Sequence, residues 1–230
     1  MVKIYLDAGH GGKDSGAAAN GIKEKDIVLD LCKRIEKGLQ DYENTEILMS
    51  RSSDVFLTLD ERTDKANAWK ADVLLSVHVN SSTSTIAKGF ESYRYPNSGA
   101  ATVAFQNVLH QEIVNKIGST VTIRGKKQEN FHMLRESNMK AILTENLFIS
   151  NASDANLLKD NSFLQKIADG HIIGFEKFLG LKKKSTEPPR EPLTDKLYRV
   201  QVGAFEERKN AEELMNDLLK QGYRPVIKYE

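Results

Sequence analysis

"ADVLLSVHV" occupies residues 71–79 and is apolar at nearly every position. A strand with one wet face would alternate apolar and polar residues. A near-continuous apolar run is instead the pattern of a strand covered on both faces, as in a parallel sheet flanked by helices. Two similar runs lie at 2–7 ("VKIYLD") and 140–150 ("KAILTENLFIS"), with further strands expected at 45–51 ("TEILMSR") and 89–95 ("GFESYRY"). Between them the periodicity changes. Ile27, Leu31, Ile35 and Leu39 recur at helical spacing over 24–40. Residues 57–69 form a second helix, with Asp60 and Glu61 in its first turns, where the helix dipole favours them. Helices are also expected at 100–117 and 162–179. Strands alternating with helices through residue 180 predict an α/β fold, a mostly parallel twisted sheet with helices on both faces.

Composition bounds the rest. A chain of 230 residues accommodates one sizeable core and a small appendage. Lys+Arg 33 against Asp+Glu 32 leaves a net charge of +1, which speaks against a duplex nucleic-acid partner. No apolar run reaches the roughly 18 residues a membrane span requires. "MVKIYLDAGH" (1–10) lacks the pattern of a secretory leader, so the expected route outward is release by lysis or a non-classical export. Cys32, the single cysteine, sits among Leu29, Leu31 and Ile35 and is expected in the core. "LKKKSTEPPREPLTD" (181–195) has no apolar period and is expected to be a linker, extended where Pro188, Pro189 and Pro192 cluster. Residues 196–230 then predict a small β-α-β unit. Ala211, Leu214, Met215, Leu218 and Leu219 share one helix face, and Gly222 is a helix stop. Such a unit has a marginal core without a partner.

In an open parallel sheet, ligands bind beyond the carboxyl ends of the strands. His10 lies just past the first strand, His78 at the end of 71–79, and Glu145 near the end of 140–150. Glu24 opens the helix after the glycine loop "GHGGKDSG" (9–16). That loop has three candidate readings: a phosphate cradle, a metal site and a plain tight turn. A phosphate loop needs Ser or Thr after its Gly-Lys, whereas Lys13 is followed by Asp14. Gly11 and Gly12 more simply let the backbone turn and present His10 to the cleft. Two imidazoles, one carboxylate and an open position make a catalytic zinc site. The remaining carboxylate is then free to act as general base.

"LDAGHGGKDSG…NGIKEKD", "SR" (50–51), "LSVHVNS" (75–81) and "ILTENLFISN" (142–151) together closely resemble the zinc-dependent N-acetylmuramoyl-L-alanine amidases. The resemblance covers about residues 1–180. It implies a peptidoglycan hydrolase that cleaves the amide between the lactyl group of muramic acid and the stem peptide's L-alanine. It further implies Zn2+ held by His10, Glu24 and His78, with Glu145 as the catalytic carboxylate. The early start and the tail are most similar to the sporulation amidases of mother-cell lysis, with phage endolysins a close second. The chain departs from the family pattern twice: Ala8 replaces a usual proline, and Leu147 a usual glycine. The tail resembles one repeat of the SPOR type, a module that binds peptidoglycan glycan strands. A full module has two such halves, so the chain is read as a monomer in which pairing between two tails would complete one.

Other residues keep two readings. Arg51 either contacts an anionic substrate group or pairs with a local carboxylate. Asn80 and Ser81 either line the cleft or turn the chain. His132, expected to precede a short strand, and Arg135 are candidates for the rim of the site. His110 and His171 are read as surface or core-edge residues, and Arg62 and Asn67 as structural. Two other functions share these residues: a non-catalytic wall-binding or activator protein, and a metallopeptidase cutting within the stem peptide.

Overall fold

The computed structural model describes residues 1–184 and 200–228. The chain divides into two units between Lys184 and Ser185. From residue 185 on, the linker expected at 181–195 lies outside the described residues, as does the start of the strand expected at 196.

The first unit is built on β1 (Val2–Ala8), β2 (Ala18–Ala19), β3 (Ile22–Lys23), α1 (Glu24–Leu39), β4 (Thr45–Met49), α2 (Leu59–Trp69) and β5 (Val73–Asn80). It continues through β6 (Phe90–Arg94), α3 (Ala100–Ile117), β7 (Ile123–Gln128), α4 (His132–Arg135), β8 (Lys140–Phe148), α5 (Ala152–Lys159) and α6 (Asn161–Leu179). β2 and β3 pair as a small separate ribbon. The main sheet has the order β4-β1-β5-β8-β6-β7. β4, β1, β5 and β8 run parallel, while β6 is antiparallel to β8 and carries β7 parallel to itself.

Alternation along the strands sorts side chains to two faces. Ile4, Leu6, Val73, Leu75, Val77 and Ile142 pack in the larger core, with Leu31 and Ile35 of α1, Leu109 of α3 and Phe175 of α6. Cys32 is buried there, as expected. Tyr5, Leu74, Ala141 and Leu143 face the other way, against Ala66 of α2 and Met133 and Leu134 of α4. Helices therefore cover both faces, which is why the central strands lack polar alternation. α2 starts on a capping box: the Thr58 hydroxyl accepts from the Glu61 N–H while Glu61 accepts from the Thr58 N–H.

The β5–β8 ladder slips after His78. Val79 alone faces Asn146 and Leu147 between the pairs His78–Glu145 and Asn80–Phe148. This is a β-bulge, and Leu147 is its left-handed residue at φ 71°. The position departs from the glycine of the family pattern, and the backbone still adopts the glycine conformation. A leucine there carries strain of roughly 1–2 kcal/mol, offset by complete burial of its side chain. Leu147→Gly, which relieves the strain, is expected to be at least as stable to urea as Leu147→Ala, which keeps it. That order reverses the usual Ala-over-Gly preference, and a clearly more stable Ala variant would contradict the strain assignment.

His110 and His171 are not surface residues: both are buried on the α3–α6 side of the sheet. The His171 Nδ1–H donates to the Ile167 carbonyl at 2.8 Å, leaving Nε2 to accept from the Thr144 hydroxyl at 3.2 Å. Burial pushes both imidazoles down to about 4. The unfolded chain, with ordinary histidines near 6.5, takes up protons between pH 6.5 and 4 that the folded chain does not. Stability therefore falls as pH drops through that window, by about 2 kcal/mol per group at pH 5. His171→Gln is expected to lose less stability than wild type between pH 7 and 5 in urea titrations. Equal losses would contradict a buried neutral imidazole. The comparison is internal, because the site histidines are the same in both proteins.

The second unit contains α7 (Arg208–Lys220), none of whose residues is buried. The flanking strands expected within 196–230 are not formed among the described residues: 200–205 and 223–228 join no ladder.

Candidate active site

The sheet directs the chemistry through one row of register. His78 on β5 pairs with Glu145 on β8, which pairs with Glu91 on β6. The three side chains share the face covered by α2 and α4. Beyond the end of β1 the chain turns at His10, itself left-handed at φ 59°. Two glycines make room for the cluster: a Cβ on Gly9 would overlap the His78 ring, and one on Gly16 would approach Glu24 Oε2 at 2.6 Å.

Glu24 is the hub. Its Oε1 lies 3.0 Å from His78 Nδ1 and 3.2 Å from His10 Nε2, and accepts the Val79 N–H at 3.0 Å. Its Oε2 accepts the Ala17 N–H at 2.9 Å. His10 is oriented from behind by Asp14, whose Oδ2 sits 2.8 Å from Nδ1 and leaves Nε2 facing the hub. One ligand atom each from His10, Glu24 and His78 lies within 4.8 Å of the others, so the three can hold a metal ion.

The electrostatics fit that role. Burial would raise the Glu24 carboxyl, but the hydrogen bonds and charges of His10 and His78 outweigh it and hold Glu24 well below the carboxylate range. Burial would lower His10, yet Glu24 and Asp14 push it up to about 9. His78 is likewise raised, by Glu24 and Glu145 against its burial. An ionised carboxylate thus shares one oxygen between two imidazoles. A cation bound at that point would supply the positive charge that the carboxylate and the two ring nitrogens favour.

Glu145 differs from Glu24. Its Oε2 is sealed from solvent and has no hydrogen-bond partner among the described residues. Burial raises its pKa to about 8; His78 opposes this, and the carboxylates of Glu24 and Glu91 add to it. A carboxylic group poised near neutrality, beside a metal-binding cluster, is suited to accept and return a proton.

These groups open into a cavity of about 310 Å³. His10, Glu24, His78, Asn80, Ser81, His132 and Glu145 supply its polar lining, with Leu59, Phe131, Met133 and Leu143 among its apolar walls. Asn80 and His132 thus lie at the cleft. His132 opens α4 rather than preceding a strand, and its Nε2 lies 3.3 Å from both the Thr63 hydroxyl and Asp60 Oδ1. Arg51 and Arg135 do not line the cavity. Arg51 is 3% exposed and binds four backbone carbonyls, those of Ala8, Gly9, Lys25 and Ser53, so it braces the glycine loop from beneath. Arg135 is exposed and bonds Glu136 and Asn130.

Asp14, Glu91 and Asn146 gave no distinct sequence signal. Asp14 was legible only as the residue that spoils a phosphate loop. Asn146 acts at the bulge, donating to the His78 carbonyl at 3.1 Å where the ladder is interrupted. Arg62, read as structural, is buried and bonds Asp7 together with the Ala8 and His10 carbonyls.

A parallel sheet whose carboxyl edge carries a His–Glu–His cluster able to hold a metal ion, beside an unpartnered buried carboxyl, has the parts of a hydrolase site. The family described as N-acetylmuramoyl-L-alanine amidase matches residues 4–177, and the chain belongs to it. The SPOR domain family matches residues 182–230. A sporulation-specific N-acetylmuramoyl-L-alanine amidase of Bacillus subtilis is 44% identical over 228 residues, covering 99% of this chain and 84% of that protein. The endolysin of Bacillus phage SPP1 is 49% identical over 185 residues, covering 79% of this chain and 68% of that protein. The solved catalytic domain of CwlV, an N-acetylmuramoyl-L-alanine amidase from Bacillus (Paenibacillus) polymyxa, superposes with a TM-score of 0.75 at 36% identity, covering 79% of this chain and all of that one. The protein is therefore an amidase acting on the peptidoglycan of the cell wall. Among the described residues no helix is long and apolar enough to cross a membrane.

Proposed function

We propose that the amidase works with zinc held by His10, Glu24 and His78, and with Glu145 as the group that carries the proton. The bond broken is the amide between the muramic acid lactyl group and L-alanine. The observation that carries this reading is the unpartnered Glu145 carboxyl, one strand from His78 and facing the same cavity. When bound, zinc supplies Lewis acidity, which lowers the pKa of a water and polarises a carbonyl. Glu145 takes the proton of the attacking water and returns it to the departing alanine nitrogen. Asp14 keeps the His10 ring in one orientation, and Asn146 fixes the spacing of His78 and Glu145 across the bulge. Asn80 and the apolar wall at Leu59 and Phe131 hold the glycan–peptide junction in the cleft.

We infer a lytic role of the sporulation type, with access to the wall through lysis. The sporulation-specific relative aligns over 228 residues and the phage endolysin over 185. The C-terminal unit, joined through a linker at 181–195, would recognise the glycan.

The test is clearing of a cell-wall suspension. Clearing stops with a chelator and returns with zinc; clearing that a chelator leaves untouched would contradict the zinc reading.

A further inference from the structure

We propose that Arg124 and Lys127 of β7 form a subsite for a carboxylate on the substrate's stem peptide, one that selects a free acid over its amide at the second stem residue. The proposal rests on the amidase reading and extends it along the same row of the sheet.

Glu91 is the starting point, because a buried acid beside the proposed proton carrier needs a reason. It is 1% exposed and pairs in register with Glu145. Its Oε2 accepts from Arg124 Nε at 2.8 Å and from the Lys127 ammonium. Its Oε1 accepts from the Asn80 amide at 2.7 Å and the Tyr93 hydroxyl at 2.9 Å. One carboxylate is thus matched by two cations, which leaves one surplus positive charge.

That surplus lies at an accessible edge. The Arg124 and Lys127 side chains are 34% and 37% exposed, whereas Glu91 beneath them is sealed. Arg124 binds Glu91 through Nε alone, so among the described residues its Nη groups have no hydrogen-bond partner. Its guanidinium lies 4.8 Å from the Phe148 ring centre, a contact that holds the plane of the donor fork. A guanidinium with its fork unspent suits a carboxylate.

The cluster is continuous with the cleft. Asn80, bonded to Glu91, lines the cavity. Tyr93, also bonded to Glu91, packs edge-on against Phe131, which lines it as well. β7 lies two strands from β8, roughly 10 Å across the sheet from Glu145. An extended peptide advances about 3.3–3.6 Å per residue. A carboxylate on the second residue beyond the scissile amide therefore comes within reach of these cations. A pair serving only to neutralise Glu91 would need one cation and would not distinguish substrates.

The experiment compares soluble glycan–peptide fragments whose second stem residue is glutamate with otherwise identical fragments carrying isoglutamine. Wild type is expected to cleave the glutamate form with kcat/KM higher by roughly tenfold, the scale of one charge-assisted hydrogen bond. Arg124→Gln is expected to erase that preference through KM, with a loss on the glutamate form clearly larger than on the isoglutamine form, and Arg124→Lys to keep part of it. Equal cleavage of both forms by wild type, or an Arg124→Gln loss equal on both, overturns the subsite and leaves the amidase reading standing. Failure of the zinc-loaded protein to cleave either form overturns the amidase reading and the subsite with it.

Discussion

Glu145→Gln is expected to lower the rate of peptidoglycan cleavage by roughly 10²–10⁴-fold, the range for loss of a positioned general base. Glutamine has the same shape but neither accepts nor returns the proton. Glu145 is not one of the three clustered ligand residues, so zinc content is expected to stay at the wild-type level. Its Oε2 has no hydrogen-bond partner among the described residues, so the substitution disrupts no bond made by that atom. The signature is therefore a folded, metal-loaded and inert protein. Rate measurement together with metal analysis checks it: an active Glu145→Gln protein carrying normal zinc would contradict the mechanism. Conversely, Glu24→Gln should lose both metal and rate, because Glu24 Oε1 is the atom both imidazoles face.

The second large effect is on stability. Arg62→Met is expected to destabilise the first unit by about 3–5 kcal/mol, the scale for stranding one member of a buried ion pair. Arg62 is 2% exposed and Asp7 1%. Arg62 Nη1 binds Asp7 Oδ1 at 2.8 Å and Nη2 binds the His10 carbonyl at 2.6 Å. The variant leaves Asp7 with Ser76 as its remaining side-chain partner and releases the left-handed turn at His10. The sign with pH is fixed by the same contact. Burial would raise Asp7, but Arg62 outweighs it, so in wild type its pKa lies below the ordinary carboxylate value. That contribution is present above the ordinary value and is lost as pH falls through the depressed one. Without Arg62 burial prevails, Asp7 titrates upward, and the difference between variant and wild type shrinks in acid. Adding Asp7→Asn to Arg62→Met should recover part of the loss in urea unfolding. A loss under 1 kcal/mol, or a deeper loss on adding Asp7→Asn, would contradict this account.

What the sequence revealed follows from period and position. The runs at 71–79 and 140–150 announced doubly covered strands because apolar residues fall at both odd and even positions, so neither face is wet. The rule that sites gather at the carboxyl edge then brought His10, His78 and Glu145 together without any distance. Short range hid other features. β7 ("IRGKKQ") has few apolar residues, since it is an edge strand with polar residues on both faces. The bulge at Leu147 carries a residue whose type argues against φ 71°, so only the glycine of the family pattern points to it. An arginine at a strand end looks the same from sequence whether it reaches a substrate anion, a local carboxylate or, as Arg51 does, four backbone carbonyls. A histidine on a helix reads as surface or core edge, and the contact that reveals His171 as buried, Thr144, lies 27 positions away.

The most direct test is mass spectrometry of purified peptidoglycan digested with the zinc-loaded protein. The account predicts glycan chains ending in a free lactyl carboxyl, and released stem peptides that begin with the amino group of L-alanine. Stem fragments cut between later residues, with the lactyl amide intact, would contradict it.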